Sequence, residues 1–466
     1  MTLPNIGLQS RTDVTPVSHA SILVGLLWCL ALLSLVVIGV LHTARMDLHV
    51  GKNYGDRIQA HYLALAGIEK AKALVYQDAK ERSRSRQNHG TGLYNAPEEF
   101  RNIALGRGEF QVFRRGRDDE GGGVFYGVSD EDSRLNINAA STDALGKLNG
   151  MTPELVAAIA DWRDADNGAM PGGAESEYYL SMQPPYQTRN GPFQTIRELL
   201  MVRGMSVPLL FGNDSSHNSL LDAEDEEGKD VFVNEHATDA DLGWARWLTV
   251  NSRVSNVNAA GEDRVNVQSA DEAALTKVPG ITQDIARAIV SYRGQNQFQS
   301  IADLLDVTSG GATNRGGSGA SRNQNQSSGS GASGRKVISE ELLMDIGDDV
   351  TVLDSSDAQQ GWININTAGL DVLATLPGVD RQMAQAIISH RQSSGFFPNV
   401  AGLLKVPGIS ANNLKQLAPL ITVRSETFRI FSEGKVKSSG VRQRIETVVH
   451  LSLTGVKTLS YREDDL

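Results

Sequence analysis

The sequence predicts an α+β protein that combines a long N-terminal helix, a small antiparallel sheet and a large inserted helical head. Three observations predict this class: a charge-free apolar run near the N-terminus, three copies of a two-helix pattern in the middle, and strand-like alternation towards the C-terminus. The chain has 466 residues, of which 40% are hydrophobic, so it is long enough for about two to four packed domains outside the apolar run.

The apolar run covers residues 21–41 and contains no Asp, Glu, Lys, Arg or His. Its length suits a helix that crosses roughly 30 Å of hydrocarbon. Apolar residues continue beyond it at helical spacing, and no proline follows until Pro97, so we predict one membrane-spanning and stalk helix over residues 21–77. A cleavable signal peptide is the competing interpretation, which the weak cleavage site around Ala44 disfavours, and a plain membrane anchor stays open.

Charge, cysteine content and the absence of catalytic motifs argue against several classes of function. The formal net charge is −11, so the chain as a whole does not attract polyanions such as nucleic acid. Its single cysteine, Cys29, lies within the apolar run, which excludes an intrachain disulfide and an all-cysteine zinc site. No recognisable nucleophile, catalytic triad or phosphate-binding motif occurs, so we expect no enzymatic activity.

An internal repeat organises the middle of the chain. Three segments open with a strand-like motif in which two polar residues flank one apolar residue, namely Asn136-Ile137-Asn138, Asn266-Val267-Gln268 and Asn364-Ile365-Asn366. A glycine follows fourteen residues after the first Asn of each motif, and an arginine follows thirteen residues after that glycine. The arginines are Arg163, Arg293 and Arg391.

The second half of each repeat starts at a phenylalanine. Eleven residues later, the first and third repeats have a second glycine, Gly204 and Gly408, whereas the second repeat has Ser309. Residues 308–334 are rich in Ser, Gly and Asn and predict a flexible surface insertion in the second repeat.

Each repeat is interpreted as pairs of short helices joined by a tight turn. Glycine at the turn permits the left-handed backbone conformation, and apolar residues at helical spacing on both sides predict a buried face. This is the helix-hairpin-helix pattern. The predicted hairpin turns are Gly150, Gly204, Gly280, Gly378 and Gly408.

Such hairpins have two interpretations. Their turn amides and helix N-termini can hold nucleic-acid phosphates, or the hairpins only pack helices together. Between Asn251 and Asp306 there are five basic residues against seven acidic ones, which favours packing and argues against a nucleic-acid partner. The third repeat is mildly basic and is the best remaining candidate for such a contact, although Asp380 directly follows its first turn.

Acidic residues cluster in the first repeat and form a candidate calcium site. They are Asp161, Asp164, Asp166, Glu175 and Glu177. Carboxylate oxygens grouped on a loop are the hard ligands that Ca²⁺ prefers. The alternative is a solvated acidic loop that caps helix ends, because the spacing of a calcium-binding hand is absent.

The remaining segments are a linker and the C-terminal strands. The acidic run Asp222–Asp230 predicts a solvated linker, followed by Trp244 and Trp247 as core residues. Alternation over residues 428–432 and 440–449 predicts strands. We expect these strands to pair with residues 108–112 and 124–128 in a small sheet against the long helix, with the repeats inserted between sheet strands.

The order of these features resembles one family. The long helix contains Ala64-Leu65-Ala66-Gly67-Ile68-Glu69, and Ser129-Asp130-Glu131 leads into the first repeat, which continues through Ala160-Asp161-Trp162-Arg163-Asp164-Ala165-Asp166. From about Ser18 to Asp464, the chain resembles the K-type minor pseudopilins of type II secretion systems. A minor type IV pilin and a membrane-anchored helix-hairpin-helix nucleic-acid-binding protein are the alternatives.

The resemblance implies how the protein is made and where it acts. Members are prepilins that a prepilin peptidase cuts, and they sit with I- and J-type minor pseudopilins at the tip of a pseudopilus built from the major pseudopilin. The cut in this sequence would separate Ala20 from Ser21, and the fifth mature residue would be Gly25 in place of the usual glutamate. The resemblance also implies a single-pass inner-membrane protein with a periplasmic head, stabilised by calcium.

The predicted divisions of the chain follow from these observations together. They are a prepilin leader (1–20), the membrane-spanning and stalk helix (21–77), the first part of the sheet domain (78–134), the first hairpin unit (135–212), an acidic linker (213–250), the second unit (251–360), the third unit (361–424) and the C-terminal strands (425–466).

Overall fold

The structure confirms the α+β class. It is a computed structural model that describes residues 19–88, 90–214, 222–223, 232–233, 242–309, 335–452 and 455–463. Two compact units divide the chain, Met1–Gln59 and Ala60–Leu466. The described part of the first unit is helical, and the second contains the end of that helix, an antiparallel sheet and the three repeats.

The N-terminal helix spans His19–Ser85 and so ends eight residues beyond the predicted Gln77. Its most apolar 18-residue stretch has a mean hydropathy of 2.8 and is not buried, which by length and composition suits a membrane-spanning segment. Its last turn carries Arg82 and Arg84, cations that interact favourably with the negative end of the helix dipole. The helix stops where Arg86 takes a positive φ of 56°.

A six-stranded antiparallel sheet forms the pilin-like part of the second unit. Its strands are Ile103–Leu105, Gly108–Val112, Ser129–Asp130, Thr427–Val436, Arg442–Ser452 and Gly455–Arg462. The strand Thr427–Val436 lies in the middle and pairs with Gly108–Val112, Ser129–Asp130 and Arg442–Ser452. The predicted pairing of residues 108–112 with the C-terminal strands is therefore confirmed.

The prediction that residues 124–128 belong to this sheet was wrong. Val124–Phe125 instead pairs with Arg114–Arg115 in a separate two-stranded hairpin. The three consecutive glycines 121–123 all have positive φ, so the chain reverses there and folds back on its own neighbour. The strand Ser129–Asp130 takes the place that was expected for residues 124–128.

The N-terminal helix packs closely on this sheet from Ala60 onward. A side chain at Gly67 would place its Cβ 2.2 Å from Ser432 Oγ, and one at Gly434 would lie 2.1 Å from the Ala60 carbonyl oxygen. Gly434 therefore permits an approach of the helix backbone that a larger residue would block, and Gly67 leaves room for the Ser432 side chain. The core between helix and sheet includes the buried side chains of Ala64, Ile68, Ala71, Val75, Val112, Ile430 and Val449.

Four short helical segments recur in each repeat, and the first and third units each have a further 3-10 turn near their end, Trp244–Arg246 and Ala418–Leu420. The recurring segments are Thr142–Gly146, Pro153–Arg163, Ile196–Met201 and Val207–Phe211 in the first unit, Glu272–Leu275, Gln283–Arg293, Ile301–Asp306 and Glu340–Ile346 in the second, and Leu370–Ala374, Arg381–Ser394, Val400–Lys405 and Ala411–Leu417 in the third. The first unit has an additional helix, Ser176–Leu180. Of the insertion predicted over residues 308–334, residues 310–334 lie outside the described residues. Thr308 and Lys336, on either side of these residues, form an antiparallel β-bridge.

Each repeat is also closed by a two-residue parallel strand pair. The opening motif pairs with a strand at the end of the same unit, Leu135–Asn136 with Leu248–Thr249, Val265–Asn266 with Val350–Thr351, and Ile363–Asn364 with Ile421–Thr422. The first unit thus extends to Thr249, through the segment expected to be a linker. Most of the acidic run Asp222–Asp230 lies outside the described residues, while Trp244 is buried and Trp247 half-buried.

One continuous hydrophobic core joins the three units. It extends from Leu135 in the first unit to Val423 in the third.

Two buried carboxylates lie where the third unit meets the sheet. Asp130 accepts a hydrogen bond from Asn364 Nδ2 at 2.9 Å, and Asp132 accepts one from the Thr427 amide at 2.9 Å. Burial raises the pKa of both carboxyls, and the charge of Asp130 raises that of Asp132 further. The third unit is therefore fixed to the sheet by polar contacts.

Candidate functional site

The five hairpin glycines occupy equivalent tight turns. Their φ values are +80° for Gly150, +83° for Gly204, +95° for Gly280, +69° for Gly378 and +91° for Gly408. In each turn, the backbone amide of the residue that follows the glycine donates a hydrogen bond to the carbonyl of the residue two positions before the glycine, at 3.1 to 3.3 Å. Positive φ at the third turn position requires glycine or a similarly tolerant residue.

The first turn of each unit is packed against the end of the same unit. Trp244 Nε1 donates a hydrogen bond to the Asn149 carbonyl at 2.8 Å, beside Gly150. A Cβ at Gly280 would lie 3.0 Å from Leu342, and one at Gly378 would lie 3.3 Å from Gln416. These turns are therefore used in packing within their units.

Each helix that follows one of these turns is capped by a side chain that accepts a hydrogen bond from one of its N-terminal amides. Thr152, Thr282 and Asp380 are the N-caps, and their side-chain oxygens accept hydrogen bonds from backbone amides of the first helical turn. In the third unit the Asp380 carboxylate accepts from the Met383 amide at 2.7 Å. A phosphate at this position would meet a negative charge, which disfavours an anion site there.

The repeated arginine connects the second helix of each unit to the backbone at the opening motif. Arg391 donates through Nη1 to the carbonyls of Ile365 and Ala368, both at 2.8 Å, and through Nη2 to Asp119 at 3.0 Å. Arg293 donates in the same way to the carbonyls of Val267 and Ala270, at 3.1 and 2.6 Å, and Arg163 donates to those of Ile137 and Ala140. These guanidiniums hold the backbone after the opening motif.

The second polar residue of each opening motif holds the phenylalanine of the same unit. Asn138 accepts a hydrogen bond from the Phe193 amide at 2.7 Å and donates one to its carbonyl at 3.0 Å. Asn366 makes the same pair of bonds with Phe397, at 2.8 and 3.0 Å. Gln268 accepts from the Phe298 amide at 3.0 Å. The motif and the phenylalanine are thus parts of one hydrogen-bonded frame.

The acidic cluster of the first unit gathers three of the predicted carboxylates. One oxygen each of Asp161, Asp164 and Glu175 lies within 4.8 Å of the others. Asp166 is not part of this group, and its Oδ1 accepts a hydrogen bond from the Gly168 amide at 2.7 Å. Glu177 is exposed and also lies outside the group.

Two of the grouped residues, Asp161 and Glu175, are buried, Asp164 is partly buried, and their carboxylates are incompletely hydrogen-bonded. Asp161 is fully buried and accepts from the Met170 amide at 3.1 Å, whereas Glu175 is 5% exposed and neither of its carboxylate oxygens has a hydrogen-bond partner of good geometry. Asp164 Oδ1 is likewise buried without a partner. Burial raises the pKa of Asp161 and of Glu175, and the charge of Asp164 adds to both shifts. A hard divalent cation would satisfy these oxygens and relieve their repulsion.

The predicted cleavage site lies at the start of the N-terminal helix. Ala20 and Ser21 lie in the first turns of the N-terminal helix, but their side chains lie outside the described residues.

Three threonines in the closing strands share a local sequence pattern that the sequence predictions above do not include. Thr249, Thr351 and Thr422 occupy equivalent places in the closing strands, and each belongs to a Thr-Val pair after an aliphatic residue. The carbonyl of each threonine accepts the amide of the central apolar residue in the opening motif. The recurrence of this tripeptide marks the true end of each unit.

Two family models match parts of the chain. Residues 129–210 match the model described as "Type II secretion system (T2SS), protein K". Residues 261–312 and 358–422 match the model of the helix-hairpin-helix motif. The first match starts at the sheet strand Ser129–Asp130 and ends within the first hairpin unit.

Similar proteins match over limited segments. Type II secretion system protein K of Klebsiella pneumoniae is 29% identical over 168 residues, which cover 33% of this chain and 48% of that protein. Endonuclease/exonuclease/phosphatase family domain-containing protein 1 of Rattus norvegicus is 29% identical over 188 residues, which cover 38% of this chain and 31% of that protein. The chain therefore spans less than half the length of either curated relative.

A solved structure also aligns with most of the chain. It is the crystal structure of the GspK-GspI-GspJ complex from the enterotoxigenic Escherichia coli type 2 secretion system, which covers 90% of this chain and 99% of that chain at 13% identity. The TM-score is 0.41, too low for the likeness to carry an argument about the fold.

Proposed function

We propose that this chain, which belongs to the type II secretion system protein K family, is a minor pseudopilin at the tip of a secretion pseudopilus and helps to assemble it. The observation that carries this proposal is the match of residues 129–210 to the protein K model. The matched segment includes the joint between the sheet and the first hairpin unit, so it covers the feature that distinguishes this chain from a plain pilin-like fold. The proposed role is structural and involves no catalysis.

The N-terminal helix supports a membrane-inserted filament subunit. From Ile22 to Leu41 every described large apolar side chain is exposed, as a lipid-facing helix requires. Exposed apolar residues continue beyond the charge-free run, with Leu48 at 75% and Tyr62 at 63%. Such residues are suited to contact the helices of other pilin-like chains. The proposed location is the bacterial inner membrane, with the head in the periplasm.

The hairpin units support a packing role over nucleic-acid binding. Their first turns contact their own units, and the N-cap Asp380 places a carboxylate where a phosphate would dock. The proposed partners are therefore the I- and J-type minor pseudopilins, the major pseudopilin and, during maturation, the prepilin peptidase. Binding of duplex DNA with a steep salt dependence would instead favour the nucleic-acid alternative.

We also propose that Asp161, Asp164 and Glu175 hold a calcium ion that stabilises the first unit. The support is that the two buried oxygens of Glu175 have no hydrogen-bond partner of good geometry and that Glu175 lies beside two further carboxylates. A bound Ca²⁺ supplies charge neutralisation and fixes the loop after the helix Pro153–Arg163 to the helix that starts at Ser176. Asp166 has no place in this ligand set.

Association with other minor pseudopilins tests the proposed role. When the tagged full chain is produced together with the I- and J-type minor pseudopilins of its own host, we expect all three to copurify from detergent-solubilised membranes. Replacing Tyr62 by Glu is expected to weaken the association about tenfold, since an exposed aromatic at a helix contact is a typical hot spot.

The matched control is Leu180→Glu, which changes a half-exposed apolar residue on the first hairpin unit. It should leave recovery of the two partners unchanged. Purification of the wild-type chain alone, while the I- and J-type proteins still bind each other, would contradict the proposed role.

A further inference from the structure

A cavity of about 350 Å³ lies in the second compact unit, away from the acidic cluster. Its wall is formed by the loop Phe113–Arg117, the sheet strand Thr427–Val436, residues 242–247 at the end of the first hairpin unit, and the start of the third unit. This size falls at the lower end of the range of small-ligand sites, which is about 300–1,000 Å³. We call it the arginine cavity.

Arginine dominates the polar lining of the arginine cavity. Among the described residues, seven arginines line it against three carboxylates. Apolar side chains form the rest of the wall, with Phe113, Phe431, Trp247 and Leu370 among them. The lining thus combines a positive charge with an apolar surface.

Arg114, Arg117, Arg381 and Arg429 each lie within 3.0 Å of a carboxylate. Arg114 pairs with Glu120 at 2.8 Å, and Arg117 with Asp119 at 2.9 Å. Arg381 pairs with Asp371 at 3.0 Å. Arg429 contacts both Glu131 at 2.7 Å and Glu446 at 2.8 Å.

Arg134 makes weaker contacts than these within the described part of the chain. Its Nη1 donates to the Ala245 carbonyl at 3.4 Å, and its Nε lies 3.8 Å from Glu131, which already accepts from Arg429. The Arg134 side chain is 11% exposed. Burial, with the nearby charge of Arg429, lowers the pKa of Arg134 to about 10. An anion in the cavity would stabilise this charge.

Arg381 gives the cavity an accessible rim. Its side chain is 67% exposed, although it also lines the cavity. A guanidinium at this place can meet an entering carboxylate in a bidentate geometry. The cavity therefore has a buried cation at Arg134 and an accessible one at its mouth.

We propose that the arginine cavity binds a small ligand that carries a carboxylate on an apolar body. Arg134 is the buried charge partner, Arg381 guides the ligand at the rim, and the aromatic wall holds its apolar part. The carboxylate has two sources, a free small acid or the C-terminal residue of a peptide. The inference does not depend on the pseudopilin role.

Calorimetric titration of the detergent-solubilised full chain tests this proposal and separates the two sources. The probes are 4-methylpentanoate as the free small acid, acetyl-Ala-Ala-Leu with a free C-terminal carboxylate, and the same tripeptide as its C-terminal amide. We expect saturable binding of 4-methylpentanoate, of the free-acid tripeptide or of both, and the identity of the binding probe shows the source. The amide is expected to bind about tenfold more weakly than the free acid, because it lacks the charge.

Variants locate the binding. Arg381→Gln is expected to raise the Kd of the binding probe about tenfold. Its matched control is Arg287→Gln, which alters an exposed arginine that also pairs with an aspartate on a hairpin-unit helix, and should leave Kd unchanged. Because Arg381 is exposed, its replacement should not unfold the chain. Absence of saturable binding by both acids, equal binding of the amide, or an unchanged Kd in Arg381→Gln would overturn the proposal.

Discussion

Removal of divalent cations is expected to lower the melting temperature of this chain by several degrees, and added calcium is expected to restore it. Without a cation, the carboxylates of Asp161, Asp164 and Glu175 repel each other in a buried place. A ligand present at 100 times its Kd stabilises the folded state by about 2.7 kcal/mol, if it does not bind the unfolded chain. Calorimetry with EDTA and then with excess CaCl₂ measures the effect.

Two variants assign the effect to the cluster. Glu175→Gln is expected to abolish the calcium response, because it removes the buried carboxylate whose oxygens have no hydrogen-bond partner of good geometry. Glu177→Gln is the matched control, since it changes an exposed glutamate two residues away and should leave the response intact. A response of wild-type size in Glu175→Gln, or none in the wild type, would remove this cation site from the account.

The cluster also predicts a pH dependence in the cation-free state. The folded-state pKa of Asp161 and of Glu175 lies above the ordinary value, so the folded chain binds protons more tightly than the unfolded chain. At a pH above their folded-state pKa, these two groups therefore lower the free energy of unfolding. This destabilisation becomes smaller as the pH falls towards that pKa. Without calcium, Glu175→Gln should be more stable than the wild type at about pH 7, and the difference should shrink as the pH is lowered towards the raised pKa of Glu175.

Replacing Arg391 by Ala is expected to destabilise the chain by about 3–5 kcal/mol. The side chain of Arg391 is 5% exposed and donates to two carbonyls and to the buried carboxylate of Asp119. Its loss leaves both carbonyls unpaired and removes one cation from Asp119, which still contacts Arg117. Chemical denaturation of the full chain in detergent measures the change in the free energy of unfolding.

The controls separate the geometry of Arg391 from its charge. Arg391→Lys keeps the charge but cannot bridge both carbonyls and the carboxylate, so an intermediate loss is expected. Arg287→Ala removes an exposed arginine with a single aspartate contact and should change stability by no more than about 0.5 kcal/mol. Equal stability of Arg391→Ala and Arg287→Ala would show that the repeated arginine does not hold the unit together.

The sequence predicted the features that depend on local backbone chemistry. Glycine at Gly150, Gly280 and Gly378 indicates a turn because few other residues adopt positive φ, and the structure has positive φ at all three. The equal intervals from the opening Asn to the glycine and the arginine also follow from one repeated structure. The fold class was predictable because helical and strand-like patterns occupy separate parts of the chain.

Features that depend on distant contacts were not predicted. The closing strand Leu248–Thr249 is two residues long and lies over a hundred residues from its partner Leu135–Asn136, so the recurring aliphatic-Thr-Val tripeptide alone does not show which segment it pairs with. Residues 124–128 have a strand-like composition, but the preceding glycines turn them back on Arg114–Arg115. The arginine cavity combines side chains from separate segments, and their proximity is a property of the tertiary fold alone.

The acidic cluster shows both cases. Its residue types predicted a cation site, but sequence spacing could not separate Asp164, which joins Asp161 and Glu175, from Asp166, which binds a local amide. Asp164 and Asp166 are separated by a single residue and point in different directions. Only the fold of the loop decides which of the two faces the cluster.

The mass of the mature chain tests the central claim most directly. If this protein is a minor pseudopilin, mass spectrometry of the chain purified from membranes of its own host should show a polypeptide that begins at Ser21 with a methylated amine. A chain that still begins at Met1 would contradict processing by a prepilin peptidase, and with it the assignment to a pseudopilus.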